Sequence, residues 1–293
     1  MDVRDIAAFA QVVEDGDFSA AARTLGLTPS TISKAMARLE NHLGCRLLQR
    51  SSRTMSLTPE GQSFLEAAHR VLDAMEEAEA VVSAIPTGTL RVRSVPTFAR
   101  YQVAPLMPAF RRRYPRLRIE FVLSNERTGW LDEGADVAIA SGHLPSSTLI
   151  SRRIASSRWI ICASPSYLAE HGTPTSPDDL GRHECLNFSM RTKWNRWSGA
   201  EGGESGGGIV ANQGDMLLAL ARAGTGIVRL AEFHISEDLR AGRLVALFPE
   251  RQDPIEEPIY VLYQDKRNLS PRIRAFVDFL QESFAQPPWA TGR

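Results

Sequence analysis

The sequence predicts a mixed fold: an all-α winged helix-turn-helix unit, one long linker helix, and a larger α/β unit in two lobes. Three observations carry this reading. Residues Phe18 to Gly61 hold two short helical patterns, a glycine turn between them and a basic hairpin. From Pro59 to about Ile85, apolar residues recur at seven-residue spacing. After Pro86-Thr-Gly88 the pattern becomes short strands alternating with helices, as in a sheet with crossover helices. The expected boundaries are 1–58, 59–87 and 88–293. Within the last, lobe I takes about 88–161 and 265–293, and lobe II about 162–264.

In the first unit, Ser19 is a candidate N-cap for a helix built on Ala20, Ala21, Ala22, Arg23 and Leu25. Gly26 follows where a helix end needs left-handed backbone. Thr28 can cap the next helix, and Pro29 suits its first turn because that N–H has no intrahelical partner. Ile32, Met36, Leu39 and Leu43 form one apolar stripe, and Gly44 ends the helix. The other face carries Ser30, Thr31, Ser33, Lys34, Ala37, Arg38 and Asn41. Small hydroxyls there allow close approach to base edges, while Lys34 and Arg38 can hold phosphates. The alternating segment 46–58 turns at Ser51-Ser52, so Arg50 and Arg53 sit at a wing tip that could reach a DNA backbone or minor groove.

The whole-chain charge is zero, which does not suit a polyanion partner. Its distribution does. From Phe18 onward this segment holds Arg23, Lys34, Arg38, Arg46, Arg50 and Arg53 against Glu40 and Glu60. Asp2, Asp5, Glu14, Asp15 and Asp17 lie in or just after the first helix, expected on the side away from DNA.

In the linker, Leu65 and Leu72, and Ala68, Met75 and Val82, are spaced by sevens. Such spacing predicts a seam against a partner helix, with packing on the chain's own domain as the alternative. Beyond the hinge, strands are expected at Thr89–Val95, Leu117–Leu123 and Asp136–Ala140, with helices at Gln102–Tyr114 and Trp130–Gly134. Lobe II should contain strands near Ile209–Ala211 and Gly226–Leu230 and a helix at Asp215–Ala223. The helix Pro271–Phe284 should return to lobe I. The arginine run 111–118 reads as a helix C-terminus closed by Pro115, not as a second nucleic-acid patch.

Composition excludes other classes. A hydrophobic content of 43% with 23% charged residues is that of a globular chain, and no apolar run reaches bilayer-spanning length. A cytoplasmic location without membrane contact is expected. Cys45, Cys162 and Cys185 are odd in number and scattered, which argues against a disulfide framework. Gly203-Glu-Ser205-Gly-Gly207 has the spacing of a nucleophile elbow, but glycines flank it where that chemistry needs a strand and a helix. His171, His183 and Cys185 fit no established zinc spacing. No enzyme activity, metal or cofactor is expected.

The segment from Phe18 to Gly61 resembles the signature of the LysR-type transcriptional regulators. It carries Phe18-Ser19-Ala-Ala21-Ala22, Ser30, Ser33, Leu39-Glu40, Leu43-Gly44, Leu47-Leu48, Arg50, Arg53, Leu57-Thr58 and Gly61. Pro29 departs from the pattern: many relatives carry Gln, which can pair with adenine, and proline cannot. The resemblance implies that the linker helix dimerises the chain, that a homodimer or homotetramer grips double-stranded DNA, and that the α/β unit is a small-molecule sensor like a periplasmic binding protein. A cytoplasmic small-molecule-binding module with no DNA function is the alternative.

A ligand would sit where strand ends meet helix starts between the lobes. Ser94-Val-Pro96-Thr97-Phe98 is one such corner, and Asn212-Gln213-Gly214-Asp215 is the matching one. Position in the family pattern adds Ser141, His143, Phe188 and Arg229. Ala140 stands where many relatives have Arg, and Arg229 where they have none. A cation exchanged across the cleft would favour an acidic or hydrogen-bond-accepting effector.

Overall fold

The computed structural model describes residues 1–290 except 51–54, 84, 127–130, 132–133, 143, 145–147, 191–194, 196, 198–206, 249–255 and 265–268. The chain divides into two compact units, Met1–Thr89 and Leu90–Arg293.

The first unit contains α1 (Val3–Asp15), α2 (Phe18–Thr24), α3 (Pro29–Leu43), β1 (Leu48–Arg50), β2 (Met55–Leu57) and α4 (Pro59–Ser83). Each helix end has a local cause. Asp2 caps α1, and Gly16 ends it at φ 68°. The cap of α2 is Asp17, whose carboxylate accepts from the Ala20 N–H at 2.8 Å, so the expected cap Ser19 lies one residue inside the helix. A carboxylate there also meets the positive end of the helix dipole. Thr28 caps α3 with Pro29 in the first turn, and Gly44 closes it at φ 71°. Ile32, Met36 and Leu39 are buried against Phe9 and Val12 of α1 and Ala21 and Ala22 of α2, as the stripe predicted, while Leu43 packs at the edge.

The first half of α4 belongs to this same core. Ala68 is buried, Leu65 and Leu72 pack beside it, and the Phe64 ring lies 5.5 Å from Phe9. The heptad residues up to Leu72 thus take the alternative, own-domain role. Val71 and Met75 remain exposed; the Val82 side chain lies outside the described set.

The second unit has two five-stranded sheets. One is ordered β4 (Leu117–Leu123), β3 (Gly88–Ser94), β5 (Val137–Ser141), β12 (Glu257–Gln264), β6 (Leu149–Ser157). The other is ordered β11 (Val245–Ala246), β7 (Trp159–Ala163), β10 (Ile227–Ala231), β8 (Cys185–Phe188), β9 (Val210–Ala211). Each sheet is mixed. β3 and β5 run parallel while β12 is antiparallel to β5 and β6; β10 is parallel to β8 and antiparallel to β7.

The chain crosses between lobes at Arg158, between β6 and β7, and returns between β11 and β12. Lobe II therefore starts near Trp159 and ends before Glu257. The expected end at 264 is corrected, because β12 pairs across its whole length with β6 of lobe I. The helices are α5 (Pro96–Phe98), α6 (Met107–Arg113), α7 (Pro165–His171), α8 (Gly214–Arg222), α9 (Glu232–Arg240) and α10 (Pro271–Ser283). Between α5 and α6 lie a π turn, Ala99–Val103, and a 3-10 turn, Ala104–Leu106, so the expected helix from Gln102 is regular only from Met107. The helix expected at Trp130–Gly134 lies mostly outside the described residues.

Lobe I buries Phe110, Val261, Phe276 and Leu280, so α10 does return to it. The arginine run is structural. Arg111 donates to the Leu117 carbonyl at 2.6 Å, and Arg113 pairs with Glu282. In lobe II, Cys162 on β7 and Cys185 on β8 are separated by β10. Two strand spacings are about 9–10 Å, too far for a disulfide. Both thiols are buried, and burial pushes the Cys162 thiol up.

Candidate nucleic-acid interface and effector cleft

Helix α3 is one-sided. Behind it lies the buried stripe; in front, Ser30, Thr31, Ser33, Lys34, Ala37, Arg38 and Asn41 are all exposed. At its start, the Thr28 hydroxyl is hydrogen-bonded with those of Ser30 (3.0 Å) and Thr31 (2.8 Å), which orders the small polar groups. Lys34 projects from the middle of this face.

Arg38 has a different surrounding from the one expected. Its guanidinium grips the buried Asp5 carboxylate of α1, with Nη2 to Oδ1 at 2.5 Å and Nε to Oδ2 at 3.2 Å. That hydrogen bond, more than the accompanying charge attraction, holds the guanidinium above its ordinary pKa. Asp5 therefore lies against the exposed face of α3. It partly neutralises Arg38 and fixes α1 to α3.

Glu40 explains the Leu39-Glu40 pair of the motif. Its buried carboxylate accepts from the Leu47 N–H at 2.9 Å and the Leu48 N–H at 3.4 Å, and Arg46 closes on it at 2.7 Å. The base of the hairpin β1–β2 is thus tied to α3. Thr58 ties it to α4: its hydroxyl donates to the Arg46 carbonyl at 2.7 Å and accepts from the Gly61 N–H at 2.9 Å. A β-carbon on Gly61 would lie 2.0 Å from the Leu47 carbonyl oxygen, so only glycine fits. Arg50 ends β1, opposite Met55. Its side chain, and all of Arg53, fall outside the described residues.

Between the lobes of the second unit lies a small cavity of about 40 Å³. Lobe I contributes Thr97, Asn125, Ser141, Glu257 and Ile259; lobe II contributes Trp159, Phe188, Gly214, Leu230 and His234. The lobes are tied across it. The Asn125 amide donates to the Asn212 carbonyl at 2.8 Å and to Gln213 Oε1 at 3.0 Å. Gln102 donates to the Phe233 carbonyl at 2.6 Å, and Arg100 pairs with Asp215 at 3.2 Å. His234 Nε2 lies 3.0 Å from the Asp215 carboxylate. The hydrogen bond from His234 is the main cause holding Asp215 below the usual carboxylate range.

Of the expected effector residues, Thr97, Ser141 and Phe188 line this cavity. Pro96 starts the single turn α5 beside it. Ser94 is buried, with its hydroxyl on the Val95 carbonyl. Asn212 contributes its backbone carbonyl to the interlobe tie. Phe98 is corrected: it points into the lobe I core, 5.1 Å from Phe233 and 5.5 Å from Phe284. Arg229 lies next to the lining. It is buried, and its guanidinium lies 5.3 Å over the Trp159 ring. It is absent from the lining, where its neighbour Leu230 appears. Ala231, on the same face of β10 as Arg229, also lines the cavity, as does the Trp159 ring beneath the guanidinium. His143 lies outside the described residues.

The sequence reading missed Asn125, Trp159, Phe233, His234 and Glu257. Trp159 donates its indole N–H to Glu257, which is only 6% exposed. No lysine or arginine is among the described lining residues, and the Arg229 guanidinium lies over the ring of one of them, Trp159. Among the described residues no group of three His, Cys, Asp or Glu side chains could hold a metal, and no helix is long and apolar enough to cross a membrane. Ser205 lies outside the described residues.

Residues 3–62 match the family described as bacterial regulatory helix-turn-helix proteins of the lysR family. Residues 83–285 match the LysR substrate binding domain. The chain is 36% identical over 285 residues to the HTH-type transcriptional regulator CrgA of Neisseria meningitidis, covering 95% of each. It is 36% identical over 293 residues to an HTH-type transcriptional repressor of Pseudomonas aeruginosa, covering 97% of this chain and 92% of that one. The solved structure of CrgA, a LysR-type transcriptional regulator, superposes with a TM-score of 0.65 at 35% identity, covering 97% of this chain and 99% of that chain. The helix-turn-helix, its tied wing and the two-lobed cavity therefore belong to a LysR-type transcriptional regulator, a DNA-binding member of that family with a small-molecule-sensing domain.

Proposed function

We propose that α3 reads a major groove through Ser30, Thr31, Ser33 and Lys34, that Arg50 and Arg53 of the wing hold the adjacent backbone, and that the interlobe cavity receives the effector through Thr97, Ser141 and Phe188. The observation that carries this is the one-sided α3: the buried residues Ile32, Met36 and Leu39 behind a small, polar, exposed front. Such a helix can approach base edges without exposing core. Arg38 acts mainly through Asp5, setting the angle between α1 and α3, and touches phosphate only as a shared cation. The chain works in the cytoplasm as a homodimer or homotetramer, because two half-sites need two readers.

Ligand drives the switch only if it favours one lobe arrangement over the other. The interlobe ties of Asn125, Gln102 and Arg100 are the bonds such a shift must make or break. The double variant Arg50→Ala with Arg53→Ala tests the division of labour. DNA affinity and its salt dependence should fall while small-molecule binding persists. Undiminished DNA binding would remove the wing from the interface.

A further inference from the structure

We propose that the tip of α3 reads thymine by its methyl group, through the Pro29 ring flanked by Leu27, and that Pro29 is a specificity-determining residue of this chain. This rests on the reading of α3 as the groove-reading helix. Pro29 is the first residue of α3 and is exposed. It has no backbone N–H and no polar side chain, so its ring recognises by shape and apolar contact alone. Leu27 is 47% exposed and is not among the residues packed in the core of its unit. Its N–H donates to the Ala22 carbonyl at 2.8 Å, which fixes it just ahead of the helix.

The hydroxyl between them does not offset this. The Thr28 hydroxyl accepts from the Thr31 N–H at 3.3 Å and is hydrogen-bonded with the Ser30 and Thr31 hydroxyls at 3.0 and 2.8 Å. A hydroxyl has one donor and two acceptor sites, so these three bonds use its whole capacity. Residues 27 to 29 therefore bring apolar surface to the N-terminal end of the helix, where a recognition helix meets base edges. In the major groove the C5-methyl of thymine is the apolar feature of those edges, and apolar side-chain surface pairs with it. Polar reading is left to Ser33 and Lys34, one turn further along the exposed face.

The operator is selected by the full chain from duplexes of random sequence. It is then resynthesised with uracil in place of thymine, which removes the methyl and keeps the O4 acceptor. Burying one methyl favours binding about three- to fourfold, so one contact in each half-site makes the uracil operator bind about tenfold more weakly by anisotropy at fixed salt. The salt slope should match that of the thymine operator, because the phosphate contacts are untouched. Uracil placed at single positions should assign the loss to the same thymine of each half-site.

Pro29→Ser should shrink the thymine-to-uracil ratio to about threefold or less, and Leu27→Ser should lower it about twofold. Lys34→Ala should weaken binding to both DNAs and keep the ratio. If Pro29→Ser fails to fold, the wild-type ratio and Leu27→Ser still decide. Equal binding of the two operators, a loss spread evenly over all thymines, or a ratio unchanged in Pro29→Ser would overturn the methyl reading and leave α3 as a base reader. A pool that never converges on a sequence would overturn the reading of α3 itself, and the methyl reading with it.

Discussion

Replacing Gly61 with alanine sets a β-carbon 2.0 Å from the Leu47 carbonyl oxygen and 2.9 Å from its carbon. Neither atom belongs to a flexible side chain, so the backbone of the hairpin base must retreat from α4. That retreat strains the Thr58 hydroxyl, which joins the Arg46 carbonyl to the Gly61 N–H. Overpacking of this kind costs about 1–3 kcal/mol, and a weakened buried hydrogen bond about 1 kcal/mol more. The sum, roughly 2–4 kcal/mol, is a large share of what a small domain has. For a unit the size of Met1–Thr89, this lowers Tm by roughly 10–30 °C. Gly26→Ala is the control. It imposes φ 65° on a side chain but meets nothing within 4 Å, so its cost is about 1–2 kcal/mol. Scanning calorimetry of the full chain should separate the two. A Gly61→Ala transition within about 3 °C of wild type, or one less affected than Gly26→Ala, would refute the close-approach explanation.

Glu40→Ala should lower both stability and DNA affinity, because it leaves the Leu47 and Leu48 N–H groups without their carboxylate; the loss is about 2–4 kcal/mol by denaturant unfolding. Lys34→Ala should leave the fold intact, weaken binding alike on all sequences and reduce the salt slope by about one, read by anisotropy. Arg38→Ala should instead lower the Tm of the first unit, since Asp5 is left buried without its guanidinium. In lobe II, burial opposes ionisation of Asp238, but hydrogen bonds from Arg222 and Arg243 outweigh it and hold its pKa low. Its folded value lies below its unfolded one, so the stabilisation is complete above the usual carboxylate pKa of about 3.9 and is lost as pH falls through the folded value. Asp238→Asn should flatten stability against pH in that acid window, as followed by circular dichroism.

What was legible in the sequence was local or periodic. Thr28, Pro29, Gly26 and Gly44 mark helix ends through their own backbone preferences, and the stripe Ile32-Met36-Leu39 repeats within one helix. Non-local pairings were not legible. Nothing near Arg38 in the chain announces Asp5, thirty-three residues away. The role of Glu40 depends on where the hairpin base lands, so it read as one more acid. In the second unit, α8 and β10 were placed to within a residue or so, yet β12 was assigned to the wrong lobe because strand membership is decided by its partners. The same limit turned Phe98 toward the cavity, when core packing points it away. Glu257 stayed hidden because a charged residue at a strand start ordinarily reads as solvated, and its burial is a property of two lobes meeting.

The measurement that bears most directly on the regulator is fluorescence anisotropy of the full chain on DNA from upstream of its own gene. It is titrated across salt and against random DNA of equal length. Tight binding that prefers the upstream DNA, falls steeply with salt, and loses about one unit of salt slope in Lys34→Ala is the expected result. Absence of even salt-dependent binding to either DNA would contradict it, and would leave the second unit as a small-molecule binder without a DNA function.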